Sequence, residues 1–500
     1  MTQFDVKPQR PQPSTHRARL WCCLATASAV LLAACASGPP SAADVLARAS
    51  QAMGATQLKT LRYVSEGGGY TFGQAYTPGG AWPKIALHSV TRTLDYDNAA
   101  MRDEVVLSRA EPQGGGGYPL SGQQRNDQYI NGELAWNLAG TNVVAGPRFV
   151  ADRLHQLWIT PHGVLKAAMR NDASVRSAAG GGGSVLSFTQ PGRFRATVTI
   201  GADGLVNQVE SVYPDPVLGD TQAVTAYANY RDVGGIKFPM QIRQTIGGYP
   251  VLDLAIKEVQ PNVAVDLQVP DAARSPFERV TTEKVADGVW FIAGGSHNSV
   301  AIEMADHWVL VETPLNDVRT QAVIDQVKQL VPGKPIRYAV NSHPHFDHAG
   351  GLRAAIADGA TIVAQAGAVQ YLARAFGQPN SVRPDRLAQA GKPAKFSAVA
   401  DKLDLGDASR AVEIYRIADS AHSDSFLMVY LPKEKLLIQA DAFTPAAPNT
   451  SPPAVPNANH LNLVANIERL KLSVDRILPL HGRVVPLAEL YAAVGKPAPR

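Results

Sequence analysis

The stretch Val340-Asn341-Ser342-His343-Pro344-His345-Phe346-Asp347-His348-Ala349-Gly350-Gly351 decides how the second half of the chain reads. Three histidines and an aspartate fall within six residues. The apolar run 336–340 leads in and reads as a buried strand; Ala349 to Ile356 reads as a helix start. The cluster therefore sits on a strand-to-helix loop, where a rigid scaffold holds reactive groups. Alternate residues of an extended loop point the same way, so His343 and His345 can face one ion. Asp347 and His348 then turn toward a neighbouring position. Imidazole and carboxylate in this mixture suit zinc.

This pattern resembles the His-x-His-x-Asp-His signature of the metallo-β-lactamase superfamily. That resemblance implies three further ligands in a fixed order, and the chain supplies them. His422 lies in Ala421-His422-Ser423-Asp424-Ser425, before an apolar strand. Asp441 closes Lys435-Leu436-Leu437-Ile438-Gln439-Ala440-Asp441, and His481-Gly482 follows the run 476–480. By resemblance His343, His345 and His422 hold one Zn2+, while Asp347, His348 and His481 hold a second. Asp441 bridges the two. The family chemistry is a dizinc-bound hydroxide attacking the carbonyl of a small ester, lactone, thioester or lactam, with Asp347 as the catalytic proton carrier. Asp441 stands where β-lactamase branches usually carry Cys or Ser, and resembles glyoxalase II-like thioesterases, lactonases and phosphoesterases. His345 stands where flavodiiron reductases carry Glu, which favours zinc. The chain departs from the family at Ala421 and Ala440, at Ser423-Asp424-Ser425, and at Glu312-Thr313-Pro314, where Asp-Thr-Gly is common. Two other activities stay open: an iron-dependent sulfur dioxygenase, and a non-catalytic lipoprotein carrier with a structural metal domain.

Five hundred residues exceed one ordinary core, so two or more domains are expected. With 45% hydrophobic and 18% charged residues the chain is globular. The net charge is +4, and Lys7, Arg10, Arg17 and Arg19 against Asp5 carry most of it. No basic patch argues for nucleic acid. Residues 1–34 read as a signal peptide: Arg17 and Arg19 precede the apolar run Leu20 to Leu32, too short for a comfortable membrane span. Leu32-Ala33-Ala34-Cys35 resembles a lipoprotein lipobox. The resemblance implies a lipid anchor on Cys35, facing the periplasm, with Ala36 and Ser37 favouring the outer membrane. Cys22, Cys23 and Cys35 are all the cysteines, so no disulfide and no thiol ligand is expected downstream.

Residues 35–60 read as a tether with a helix over 42–53. From 61 to 270 short strand patterns dominate, as at Leu61 to Val64, Val90 to Tyr96, Gln128 to Trp136, Ala196 to Ile200, Leu205 to Val212 and Ala223 to Tyr230. One helix, Phe149 to Arg170, interrupts them with a break near Pro161. This predicts a curved antiparallel sheet wrapped on a helix. Its end, Tyr230 to Pro239 with Ile242 and Leu252 to Val259, is similar to the last strands of LolA/LolB-like half-barrels, which bind acyl chains. His88, His155 and His162 lie here without partner ligands and read as surface or core residues.

A linker is placed at Pro270 to Arg279. From 280 to 500, paired strands give way to alternating strands and helices, with helices over 317–330 and 366–376. The fold class is α+β: an αβ/βα sandwich behind an antiparallel half-barrel. Three further segments are candidates for the pocket: Gly294 to Asn298 with His297, His460, and the rim Asn449 to Pro456.

Overall fold

In the computed structural model, residues 40–111, 114–116, 122–179, 182–274 and 279–497 are described. The stretch predicted to be a signal peptide, Cys35 and part of the predicted linker lie outside them. Within residues 60–261, thirteen strands form one antiparallel sheet. Neighbours in the sheet are neighbours in sequence, except that the first strand, Thr60–Tyr70, pairs with the last, Tyr249–Pro261. Strand Gly219–Val233 shows why one face is buried: apolar or small residues alternate with exposed ones along its first half.

Three helices pack on that face, where the sequence predicts one. Ala42–Met53 is not a free tether element: Val45, Leu46, Ala49 and Met53 join the sheet core. A capping box of Ser41 and Asp44 starts it, and Gly54 at φ 67° ends it. The predicted long helix is two, Val150–Trp158 and Pro161–Arg170. Thr160 caps the second by accepting from the Gly163 N–H, and Pro161 sits where its missing N–H costs nothing. The run 128–136 is also not one strand. Gln124–Asn131 turns back into Leu134–Ala139 at Gly132, whose φ of 55° suits a tight hairpin. His155 and His162 are buried against Tyr213 and Phe238, and His88 is exposed, as read from the sequence.

The second half holds a seven-stranded and a six-stranded sheet. Strand Ile336–Val340 lies between Trp308–Val311 and Thr361–Gln365, parallel to both. Its neighbours are apolar on both faces because both faces are covered. Val300, Val309, Val311, Val340 and Val363 share one cluster with Ile414, Val429 and Ile438 of the other sheet. Ala301, Trp308, Leu310, Ala339 and Ile362 share another with Val323, Leu352 and Leu372 of the helices. Each buried aliphatic side chain contributes about 1.5–3 kcal/mol, so this two-sided burial holds the strand ends rigidly.

The two halves also touch directly. Val217, on a turn of the thirteen-stranded sheet, is fully buried in the cluster around Leu352 and Leu372. Beside it the Asp220 carboxylate accepts from the N–H groups of Ser381 and Val382 at 2.9 and 3.1 Å.

Candidate metal centre

The seven sequence-derived residues come together at strand ends and the loops after them. The motif leaves strand Ile336–Val340, and Phe346–Ala349 is already a helical turn. His422 lies between strands Glu413–Arg416 and Leu427–Leu431. Asp441 follows Leu436–Gln439, and His481 follows Arg476–Pro479. The loops are tied by backbone bonds: Leu427 N–H to Ser342 O at 2.7 Å, and Asn298 N–H to Leu480 O at 2.8 Å. Gly350 passes so close to the Leu315 carbonyl that a Cβ would collide with it.

Two groups of donors form. In the first, His343 Nε2 is 2.9 Å from His345 Nδ1 and 3.0 Å from His422 Nε2. Asp441 Oδ2 is 3.0 Å from His422 Nε2 and 3.9 Å from His343 Nε2. In the second, Asp441 Oδ1 is 3.1 Å from His348 Nε2 and 2.9 Å from His481 Nε2. Those two nitrogens are 3.2 Å apart, and Asp347 Oδ2 is 3.5 Å from His348 Nε2. The two oxygens of Asp441 thus divide between the groups.

The outer nitrogens assign the tautomers. His345 Nε2 faces the Ala75 carbonyl at 3.0 Å, so it carries the proton. His348 Nδ1 faces the Glu312 carboxylate at 3.1 Å, and His481 Nδ1 faces the Ser296 carbonyl at 2.7 Å. Ser342 gives its hydroxyl hydrogen to Glu312 at 2.5 Å and so accepts from His343 Nδ1 at 3.0 Å. In the neutral rings the inward nitrogens of all four are then bare lone pairs pointing at one another and at a carboxylate. Asp441 Oδ1 is buried with no hydrogen-bond donor. Such sets repel unless a positive charge sits among them. Ligands of a tetrahedral zinc lie about 3.3 Å apart, which these spacings bracket. The residues fit the ion.

Charge balance agrees. Burial, with His348 and His345 nearby, holds His343 well below the usual imidazole range, and burial pushes His345 down to about 3. At His348 burial disfavours charge, but the carboxylates of Asp441, Asp347 and Glu312 outweigh it and raise its pKa. Asp441 likewise raises His481 against burial. A proton on His348 answers the same demand for positive charge that a metal ion meets, so ion and proton compete there.

Four groups join the site beyond the seven residues, and of these only His297 reads as a candidate in the sequence. Glu312 is fully buried and backs both His348 and, through Ser342, His343. His297, in the predicted pocket loop, lies with its Nε2 3.1 Å from Asp347 Oδ2 and its ring 4.2 Å from that of His481. Arg319 holds this loop by donating to the His297 carbonyl at 2.7 Å. The fourth is the loop Gly73 to Tyr76, which joins two strands of the thirteen-stranded sheet. The Gly73 carbonyl accepts from Phe346 N–H at 3.1 Å, Gln74 Nε2 donates to Asp347 Oδ1 at 2.7 Å, and the Tyr76 carbonyl accepts from Asp424 N–H at 3.1 Å. His460 instead packs edge-on against Phe443, and residues 449–455 form an exposed stretch. Ser342, Ser423 and Ser425 are buried, which removes them as open nucleophiles.

Residues 292–481 match the profile of the metallo-beta-lactamase superfamily. They form a domain of that superfamily. The matched stretch contains all seven residues, His343 through His481. The chain is similar to a metallo-beta-lactamase from Pontibacter korlensis, at 16% identity over 43% of this chain and 98% of that one, with a TM-score of 0.33. It is similar to FIM-1 from Pseudomonas aeruginosa in its mono-zinc form, at 20% identity over 43% of this chain and 93% of that one, TM-score 0.33. DIM-1 metallo-beta-lactamase matches at 17% identity over 43% and 95% of the two chains, TM-score 0.32.

Proposed function

We propose that the chain is a hydrolase that works with two zinc ions. His343, His345 and His422 would hold one, and Asp347, His348 and His481 the other, with Asp441 shared. The observation that carries this reading is the convergence of imidazole nitrogens from both groups on the two oxygens of Asp441. Bound zinc supplies Lewis acidity toward a carbonyl or phosphoryl oxygen and lowers the pKa of water toward neutrality. The chain's own part is to position and to move protons. Asp347 is the most open carboxylate of the set at 34% side-chain exposure. It is therefore placed to take a proton from water and hand it to a leaving group. Asp441 at the shared position favours lactones, thioesters or phosphoesters over β-lactams.

The test is a panel of lactone, thioester, phosphoester and β-lactam substrates on the zinc-loaded full chain. We expect turnover of one of the first three, abolished by a chelator and restored by zinc. No turnover across the panel, or turnover indifferent to chelation, would remove the proposal.

Zinc uptake should also depend on pH unequally. His343 and His345 have lowered pKa values and carry no proton to displace near neutrality. His348 and His481 have raised values and do. Each displaced proton costs about tenfold in affinity per pH unit below the raised pKa. From pH 8 to pH 6 the second ion should therefore weaken by a larger factor than the first. Calorimetric titrations showing equal weakening would contradict the assignment.

A further inference from the structure

We propose that the loop Gly73 to Tyr76, which joins the strands Thr60–Tyr70 and Lys84–Asp95 of the thirteen-stranded sheet, is a working part of the metal centre, with Gln74 as the residue that positions Asp347. The inference rests on the two-zinc reading and adds a residue outside the superfamily domain. The segment meets two of the ligand-bearing loops residue by residue, the one with His343 to His348 and the one with His422. The Gly73 carbonyl binds the Phe346 N–H, and the Ala75 carbonyl fixes the His345 ring. Tyr76 binds the Asp424 N–H with its carbonyl and gives its hydroxyl to the Ser420 carbonyl at 3.0 Å. Gly73 has φ 73° and lies on the face of the Phe346 ring, where a Cβ would clash. Phe72 and Trp82 complete an aromatic cluster around Phe346, at ring distances of 5.2 and 6.4 Å. The approach is therefore built into both sides.

Within it, Gln74 does something packing does not require. A carboxylate can rotate to present either oxygen. The Gln74 amide takes Oδ1 at 2.7 Å, and His297 meets Oδ2 at 3.1 Å on the side of His348. One oxygen is thereby held toward the sheet and the other toward the second group of donors. Gly116 leaves the room that the Gln74 side chain occupies, and its N–H binds the Gln74 carbonyl at 3.0 Å. Outer-sphere donors of this kind are worth about 10- to 100-fold in metal affinity.

The experiment is a Zn2+ titration of the full chain, wild type against Gln74→Leu, which keeps the volume and deletes the amide. Wild type should bind two ions. The variant should bind the first as wild type does and the second about 10- to 100-fold more weakly. Gln74→Asn, which keeps the amide but shortens its reach, carries the same expectation and serves if leucine disturbs folding. Two ions bound with unchanged affinity, or equal weakening of both, overturns the inference while leaving the two-zinc reading in place. A wild-type chain that takes a single ion overturns the two-zinc reading and this inference with it.

Discussion

Asp441→Ala is expected to drop the zinc content from two ions to one or none, and to lower hydrolysis by at least about 10³-fold. The carboxylate spans both groups, with Oδ2 3.0 Å from His422 and Oδ1 2.9 Å from His481. Two dications about 3.5–4 Å apart repel four times as strongly as unit charges at that distance, and a shared anion is what offsets this. Alanine leaves His343, His348, His422 and His481 facing one another across an uncompensated gap. The second group suffers more, because Asp441 heads the carboxylates that favour positive charge on His348. Beside His348 and His481 it would keep Asp347 as its one carboxylate ligand, already the most solvent-exposed of the set. Losing several kcal/mol of Lewis-acid stabilisation corresponds to three or more decades in rate. Metal analysis of the dialysed variant reads the first effect and the substrate panel the second. Retention of two tightly held ions would show that Asp441 is not shared.

The seven central residues were legible because few side chains bind zinc and because the motif fixes four of them locally. His422, Asp441 and His481 followed from the order that the resemblance implies, matched to places beside apolar runs that are easy to read. The groups behind them were not, for a physical reason. His345 is held by the carbonyl of Ala75, an atom that every residue carries, from a segment 270 positions away. No side-chain pattern marks such a contact. Gln74 is one ordinary polar residue in a loop after a glycine-rich strand. His297 and its loop were visible as a candidate, but the buried Arg319 that fixes them is one residue of the helix over 317–330, and no pattern there marks it. In the sheet, the Gly132 turn was hidden inside a run whose residues on both sides suit strands, so one hairpin read as one strand. The helix Ala42–Met53 read as a tether because its partners lie in distant strands.

Glu312→Gln should weaken both zinc ions, by about 10- to 100-fold each, and this separates it from Gln74→Leu. Glu312 stands where the resemblance leads one to expect Asp, one residue past strand Trp308–Val311, and is fully buried. Its φ of 73° places a non-glycine residue in the left-handed region, a local cost of about 1–3 kcal/mol. Leu315, three residues on, has φ 70°, and its N–H is held by the Asp347 carbonyl at 2.8 Å. That strain is tolerated because the side chain is over-determined. Oε2 accepts from His348 Nδ1 in one group and from Ser342, which supports His343, in the other. A single carboxylate thus sets the tautomer of one histidine in each group. Glutamine is nearly the same shape, so packing survives, but it is neutral and its NH2 is a donor. Whichever way the amide turns, it offers one acceptor atom in place of two, and its NH2 meets either those protons or the Asn341 amide. One or more buried donors then lose their acceptor, at about 1–3 kcal/mol. The inward lone pairs of His343 and His348 also become less basic. Two-step zinc titration distinguishes the outcomes: a variant whose first ion binds as in wild type would mean that the Ser342 relay to His343 contributes nothing.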